Sequence, residues 1–154
     1  MNVFENPVLA KGIAIAAIGV AAGLLLSIGV GVVRLVLKCR RRSIALSGTG
    51  LLLAIAMAVT PITKLFYAFV VAVALSQRNL AESELAVAAT ASCGIFAMVA
   101  IVQGALAVKL VGTPMTSERA GSAYNAKFAL LGAVETLAVF ALVGTLVLTA
   151  RLSA

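Results

Sequence analysis

Long apolar runs separated by short polar stretches make up almost the whole chain. A helix needs about 20 predominantly apolar residues to cross the hydrocarbon core of a bilayer. Four runs reach that length, and they cover Gly12–Leu37, Ser47–Ser76, Leu85–Val111 and Ala126–Ala150. The runs are apolar on every side, which excludes amphipathic helices that lie on a membrane surface. The pattern predicts an all-α membrane protein with four transmembrane helices.

The composition agrees with a membrane protein and excludes several classes of function. Of the 154 residues, 63% are hydrophobic and 11% are charged, against about 45–50% and about 25% in soluble domains. Histidine and aspartate are absent, so no metal cluster or catalytic set based on histidine is expected. Any ATP chemistry would belong to partner proteins. Cys39 and Cys93 lie in different segments and are interpreted as packing residues rather than a disulfide.

The basic residues predict how the chain is oriented in the membrane, and the net charge of +7 is read in that way rather than as a nucleic-acid site. The three connections contain KCRRR (Lys38–Arg42), SQRNLAESEL (Ser76–Leu85) and GTPMTSERAGSAYNAK (Gly112–Lys127). Most basic residues flank the first and third connections, namely Arg34, Lys38, Arg40, Arg41, Arg42, Lys109, Arg119 and Lys127. Both termini are therefore expected on the non-cytoplasmic side. The first apolar run exceeds the roughly 7–15 residues of a signal peptide core, so a retained first helix is expected.

The two halves of the chain resemble each other when they are aligned without gaps at an offset that places Ile62 over Glu135. The matching segments are Ser27–Val36 with Ala100–Lys109 and Tyr67–Leu75 with Phe140–Leu148. A single offset aligns both helices of each half, which indicates a duplicated hairpin. The predicted units are residues 1–79, without an acid inside the membrane, and residues 80–154, which carry Glu135. Glycine and alanine in the first and third helices predict close packing in a tight bundle or an oligomer.

Polar side chains fall at similar depths in three of the predicted helices. Thr60, Thr63, Lys64 and Tyr67 share one face of the second helix by their i, i+3, i+4 and i+7 spacing. Counted from the outer helix ends at about 1.5 Å per residue, Lys64 lies roughly 20 Å deep, Glu135 roughly 22 Å and Gln103 roughly 27 Å. The sequence therefore predicts one polar site inside the membrane.

The chemistry of this site admits two interpretations. A carboxylate inside a bilayer persists only if it is paired, protonated or bound to a cation. An acid that exchanges protons would carry H⁺, and the oxygens of Glu135, Gln103 and Thr63 would also suit Na⁺. The alternative is a structural hydrogen-bond network that holds the helices together. The duplicated hairpin and the small-residue helices favour ion carriage.

These features resemble the proteolipid rotor subunit of V-type (V/A-type) ATPases, the bacterial subunit K. The resemblance extends from about Gly12 to Leu152, and its most specific parts are Val134-Glu135-Thr136, Gln103-Gly104, and Pro61 and Thr63 followed by Tyr67. It implies a closed ring of identical subunits in a prokaryotic plasma membrane, turning as part of an ATP-hydrolysing or ATP-synthesising complex. Implied partners are a stator subunit that supplies an arginine and central-stalk subunits that bind the cytoplasmic loops near Arg34–Arg42 and Gly112–Lys127. No cofactor is implied beyond the transported H⁺ or Na⁺.

The resemblance also implies a role for individual residues. Glu135 matches the ion-carrying acid, Gln103 an amide ligand and Thr63 a hydroxyl ligand. Tyr67 matches a tyrosine that donates a hydrogen bond to the acid, and Thr60 falls where a backbone carbonyl serves as a ligand.

Lys64 departs from the family pattern, because sodium-binding members carry a glutamine there. An ammonium at this position would take the place of the cation and favour an internal pair with Glu135. Proton carriage then requires the pair to open or Lys64 to point elsewhere, and a third outcome is a neutralised subunit that carries no ion. We expect H⁺ rather than Na⁺.

Two other functions are compatible with the sequence. One is a free-standing, proton-coupled transporter built from a parallel repeat, which would work as a monomer or dimer. The other is a four-helix scaffold that transports nothing.

Overall fold

Four helices form the protein. The computed structural model describes residues 5–42, 48–111 and 120–152, which contain no strand. The first helix consists of α-helical Pro7–Leu24, π-helical Leu25–Val32 and α-helical Val33–Arg42. The second consists of Gly48–Val59, a 3₁₀ turn at Thr60–Ile62, and Thr63–Ser76; the third is Glu82–Val111 and the fourth is Ala120–Leu152. All four are long and apolar enough to cross a membrane, which confirms a multi-pass membrane protein.

Three of the helices extend beyond the apolar runs that predicted them. KCRRR, predicted as a connection, forms the last turns of the first helix, where basic side chains interact favourably with the helix dipole. The predicted third connection is also too long, because the fourth helix begins at Ala120. The remainder of that connection, residues 112–119, and Ser47 of the predicted second span lie outside the described residues.

The first and third helices pack with their backbones almost in contact. A methyl group added to Gly104 would lie 2.2 Å from the Gly23 carbonyl oxygen, and one added to Gly19 would lie 2.3 Å from Ala97 Cα. Real Cβ atoms do not approach other atoms so closely, so only glycine fits at these positions. Because lipid provides no hydrophobic driving force between helices, such close packing is a main source of their association. The predicted close approach of these helices is therefore confirmed.

A π-helical segment keeps one face of the first helix directed at the bundle. From Gly19 onward a buried residue recurs at every fourth position, through Ser27 and on to Cys39. An α-helix has about 3.6 residues per turn, so a spacing of four would drift away from the contact. The wider turns of the π segment absorb this drift. The sequence analysis did not anticipate the segment, although the repeated spacing of four was its signal.

The second helix is interrupted at Pro61, immediately before the predicted site residues. Proline has no N–H, so the Met57 carbonyl loses its usual partner four residues later. The Thr60 hydroxyl donates to that carbonyl at 3.0 Å, and the Ser27 hydroxyl of the first helix donates to the Ala58 carbonyl at 2.7 Å. Side-chain hydroxyls thus satisfy the broken helix, as membrane burial requires.

The fourth helix lies against the second and third helices and is the least covered of the four. Only 11% of its spanning segment is buried, against 28% to 39% in the others. Leu137, Phe140 and Leu148 are each more than 60% exposed. In a membrane this apolar surface meets lipid or other protein chains.

We predict that Gly104→Ala destabilises the bundle, because its methyl group would meet the Gly23 backbone rather than a flexible side chain. Overpacking of this kind costs about 1–3 kcal/mol, and thermal unfolding in mild detergent measures it. Gly94→Ala is the matched control on the same helix, since a methyl group there has no neighbour within 4 Å. Equal stability of the two variants would contradict the close backbone contact.

Candidate functional site

The candidate site lies between two apolar clusters at the middle of the bundle. One cluster includes Ala68, Phe96 and Ala138, and the other includes Met57, Ala107 and Leu131. On each of the second, third and fourth helices, the polar site residue falls between a member of one cluster and a member of the other. The site is therefore sealed along the bundle axis by packed apolar side chains.

The Glu135 carboxylate is the centre of the site and receives hydrogen bonds from two other helices. The Tyr67 hydroxyl donates to Oε1 at 2.7 Å, and the Gln103 amide Nε2 donates to Oε2 at 2.8 Å. Lys64 forms a salt bridge and hydrogen bond with Oε2. The Thr63 hydroxyl lies 3.3 Å from Oε1. Each carboxylate oxygen thus has two donors near it, which is the full capacity of an ionised carboxylate.

Lys64 is completely buried, whereas the Glu135 side chain keeps 30% of its surface exposed. The Lys64 ammonium donates to Thr63 Oγ1 at 2.7 Å as well as to Glu135, and it lies 5.4 Å from the centre of the Tyr67 ring. The side chain therefore points into the site rather than along the helix toward the membrane surface. Of the arrangements open from the sequence, the structure contains the internal ion pair.

Thr63 connects the ion pair to the interrupted part of the second helix. Its hydroxyl lies 2.8 Å from the Thr60 carbonyl and 3.3 Å from Glu135 Oε1. A hydroxyl carries one proton and donates to one acceptor at a time, so the shorter contact with Thr60 is the stronger one. Thr60 contributes its backbone carbonyl to this network, while its own hydroxyl is used at Met57.

Gln103 leaves one strong acceptor unused. Its side chain is fully buried and its Oε1 has no hydrogen-bond partner among the described residues. Buried amide oxygens are nearly always bonded. If Glu135 took up a proton, a half-turn of the amide would present Oε1 to the carboxyl group, so Gln103 suits both protonation states of the acid.

All six residues named from the sequence thus lie at the site, with Thr60 contributing through its backbone; their role in ion binding stays a prediction. The proposed Na⁺ ligands Glu135, Gln103 and Thr63 do converge. However, the Lys64 ammonium occupies Glu135 Oε2 and Thr63 Oγ1, the oxygens that a metal ion would need. The arrangement favours proton chemistry over metal binding.

The sequence analysis missed two polar contacts that support the bundle. Ser27 donates to the second helix at Ala58, as described above, and the Ser92 and Thr145 hydroxyls meet at 3.0 Å between the third and fourth helices. Serine and threonine in apolar runs were the available signal, because such hydroxyls commonly bond across membrane helices.

Comparison with protein-family models, curated proteins and solved structures gives no match for this chain. The site's function is therefore argued from its own geometry.

We predict that Lys64 and Glu135 are energetically coupled. Lys64→Met leaves the carboxylate without its cation, and Glu135→Gln leaves an ammonium buried without its anion. Breaking a buried pair costs about 3–5 kcal/mol, and we expect the low end because Glu135 is partly exposed. The double variant should lose less than the sum of the single variants, with a coupling of about 0.5–3 kcal/mol, measured by unfolding in mild detergent.

Thr136 provides the control for this cycle, because its hydroxyl bonds only to Gly132 of its own helix. Lys64→Met combined with Thr136→Val should be additive. Additivity of the Lys64 and Glu135 variants would show instead that the pair contributes nothing to the fold.

Proposed function

We propose that the protein is a subunit of the membrane rotor ring of a V-type ATPase and carries protons at Glu135 as the ring turns against a stator. The observation that carries the proposal is the buried network around one carboxylate, assembled from three helices. A structural network needs no titratable acid, since neutral amides and hydroxyls can hold membrane helices together. An ionisable residue retained at this depth points to ion transfer.

Charge arithmetic explains how Lys64 can be part of a proton carrier. With an ammonium on Lys64 and a carboxylate on Glu135 the pair is neutral, whereas one proton more or fewer leaves a net charge. Only the neutral pair passes lipid without a large electrostatic cost. The loaded carrier is therefore the ion pair. The unloaded carrier has lost one proton to water, leaving the amine of Lys64 neutral and Glu135 ionised beside Tyr67 and Gln103.

A stator arginine, as the family resemblance implies, would stabilise the unloaded site by its positive charge. Sodium fits this scheme poorly, because it would have to displace the tethered ammonium and add a positive charge. Both termini would lie on the non-cytoplasmic side, with the ends rich in arginine and lysine facing the cytoplasm and the central stalk. The duplicated hairpin would give one carrier site per four helices.

We predict that the purified protein forms a closed ring of several copies in mild detergent, because the poorly covered fourth helix needs neighbours or lipid on its apolar surface. Native mass and the symmetry of electron-microscopy class averages measure this. A monomer or dimer would favour a free-standing transporter or a scaffold and contradict the rotor proposal.

We predict that Glu135→Gln abolishes ATP-driven proton uptake into membrane vesicles that contain the complete complex. Lys64→Arg should also abolish uptake, because a guanidinium keeps the charge but does not release its proton. Lys64→Gln should retain uptake, since Glu135 alone can then be neutral when protonated and charged when empty.

Glu84→Gln is the control for loss of an acid, because Glu84 is exposed at the start of the third helix and accepts from the Ala81 amide at 3.2 Å. Unchanged uptake in Glu135→Gln would contradict ion carriage and indicate a scaffold. Normal uptake in Lys64→Arg would show that Lys64 keeps its proton throughout the cycle.

A further inference from the structure

One end of the bundle carries positive charge that no acid balances within the described residues. The last turns of the first helix contain Arg34, Lys38, Arg40, Arg41 and Arg42, all exposed, and the third helix ends with exposed Lys109. Among the described acids, Glu5, Glu82 and Glu84 belong to the opposite end of the bundle, and Glu135 is paired inside it. This end of the protein therefore needs negative charge from another molecule.

The length of the first helix places the basic residues at the level of lipid headgroups. Gly12–Val33 contains no charged residue and spans about 33 Å at ~1.5 Å per residue, which matches a hydrocarbon core of about 30 Å. Arg34 therefore lies where the hydrocarbon ends. Arg41 follows about 10 Å further along the axis, just beyond a headgroup layer that is roughly 5–8 Å thick.

Packing fixes the direction in which these side chains point. Leu35 and Cys39 are buried in the cluster with Ala54 and Met57, which sets the rotation of the helix at this end. Arg34 and Arg41 are seven residues apart, two turns along one face of this helix, and Lys38 lies between them. All three are exposed, so the helix presents a basic face beside the buried one.

We infer that this basic face, formed by Arg34, Lys38 and Arg41, binds the phosphate groups of anionic phospholipids. Guanidinium groups bind phosphate with two parallel hydrogen bonds and are well suited to this ligand. Basic clusters next to a membrane helix attract anionic lipid by about 1 kcal/mol per residue. A protein partner in the aqueous phase would reach Arg41 and Arg42 but would not reach Arg34 at the hydrocarbon boundary. The depth of Arg34 therefore favours lipid over an acidic protein.

The test is the binding of phosphatidylglycerol against phosphatidylcholine to the purified full-length protein, measured by native mass spectrometry. The wild type should prefer phosphatidylglycerol, and the preference should weaken as salt is added. Arg34→Gln combined with Arg41→Gln should weaken phosphatidylglycerol binding about 30-fold, which corresponds to two residues at about 1 kcal/mol each. Glycerol phosphate, the headgroup without acyl chains, should not compete.

Lys11→Gln combined with Arg78→Gln is the control, because it removes the same charge from the opposite end. The inference is wrong if this control loses as much preference as the double arginine variant, or if glycerol phosphate competes equally. It is also wrong if the wild type binds both lipids equally, a result that would leave an acidic protein segment as the occupant. The wild-type comparison decides the question even if the double arginine variant does not fold.

Discussion

The ion pair between Lys64 and Glu135 is the interaction on which the centre of this membrane bundle depends. Either charge alone at this depth would be strongly unfavourable, because lipid and packed apolar side chains solvate ions poorly. Paired, the two groups are neutral, and Tyr67, Gln103 and Thr63 supply the hydrogen bonds that a buried pair needs. The second and fourth helices are thereby joined at one point, with the third helix behind them. This polar junction fixes the rotation of three helices at the depth where the two apolar clusters meet.

The pair is positioned by features that carry no charge. The glycines of the first and third helices allow a backbone contact that side chains would prevent, and this contact forms the base against which the second and fourth helices pack. The interruption at Pro61 then redirects the chain immediately before Thr63 and Lys64. Thr60 and Ser27 satisfy the carbonyls around the interruption, so the broken helix does not expose unpaired backbone groups to lipid. Close packing and a satisfied break together bring Lys64 into the site.

Hydropathy predicted the four helices well, because the bilayer demands apolar length and internal hydrogen bonding. Depth also transferred well to the structure, since the rise per residue is constant and places Lys64, Gln103 and Glu135 at similar levels. The direction of the Lys64 side chain was not predictable, because it depends on the rotation of each helix about its own axis and a long side chain can also extend to the membrane surface. The π segment at Leu25–Val32 escaped prediction for a related reason: it is a response to tertiary packing rather than to local preference.

The same pair sets a condition that any carrier built on this site must meet. A group that crosses lipid repeatedly has to be neutral while it crosses and charged where it is exchanged. A lone glutamic acid meets this condition with one proton. Here the neutral state already contains an ammonium and a carboxylate, so a charged state arises only when the ammonium gives up a proton or the carboxylate gains one. Under the proposed function, Lys64 thus changes where the exchanged proton is held, while the number of protons per cycle stays at one. The unpaired oxygen of Gln103 and the shared proton of Thr63 provide the hydrogen-bonding freedom that such a rearrangement needs.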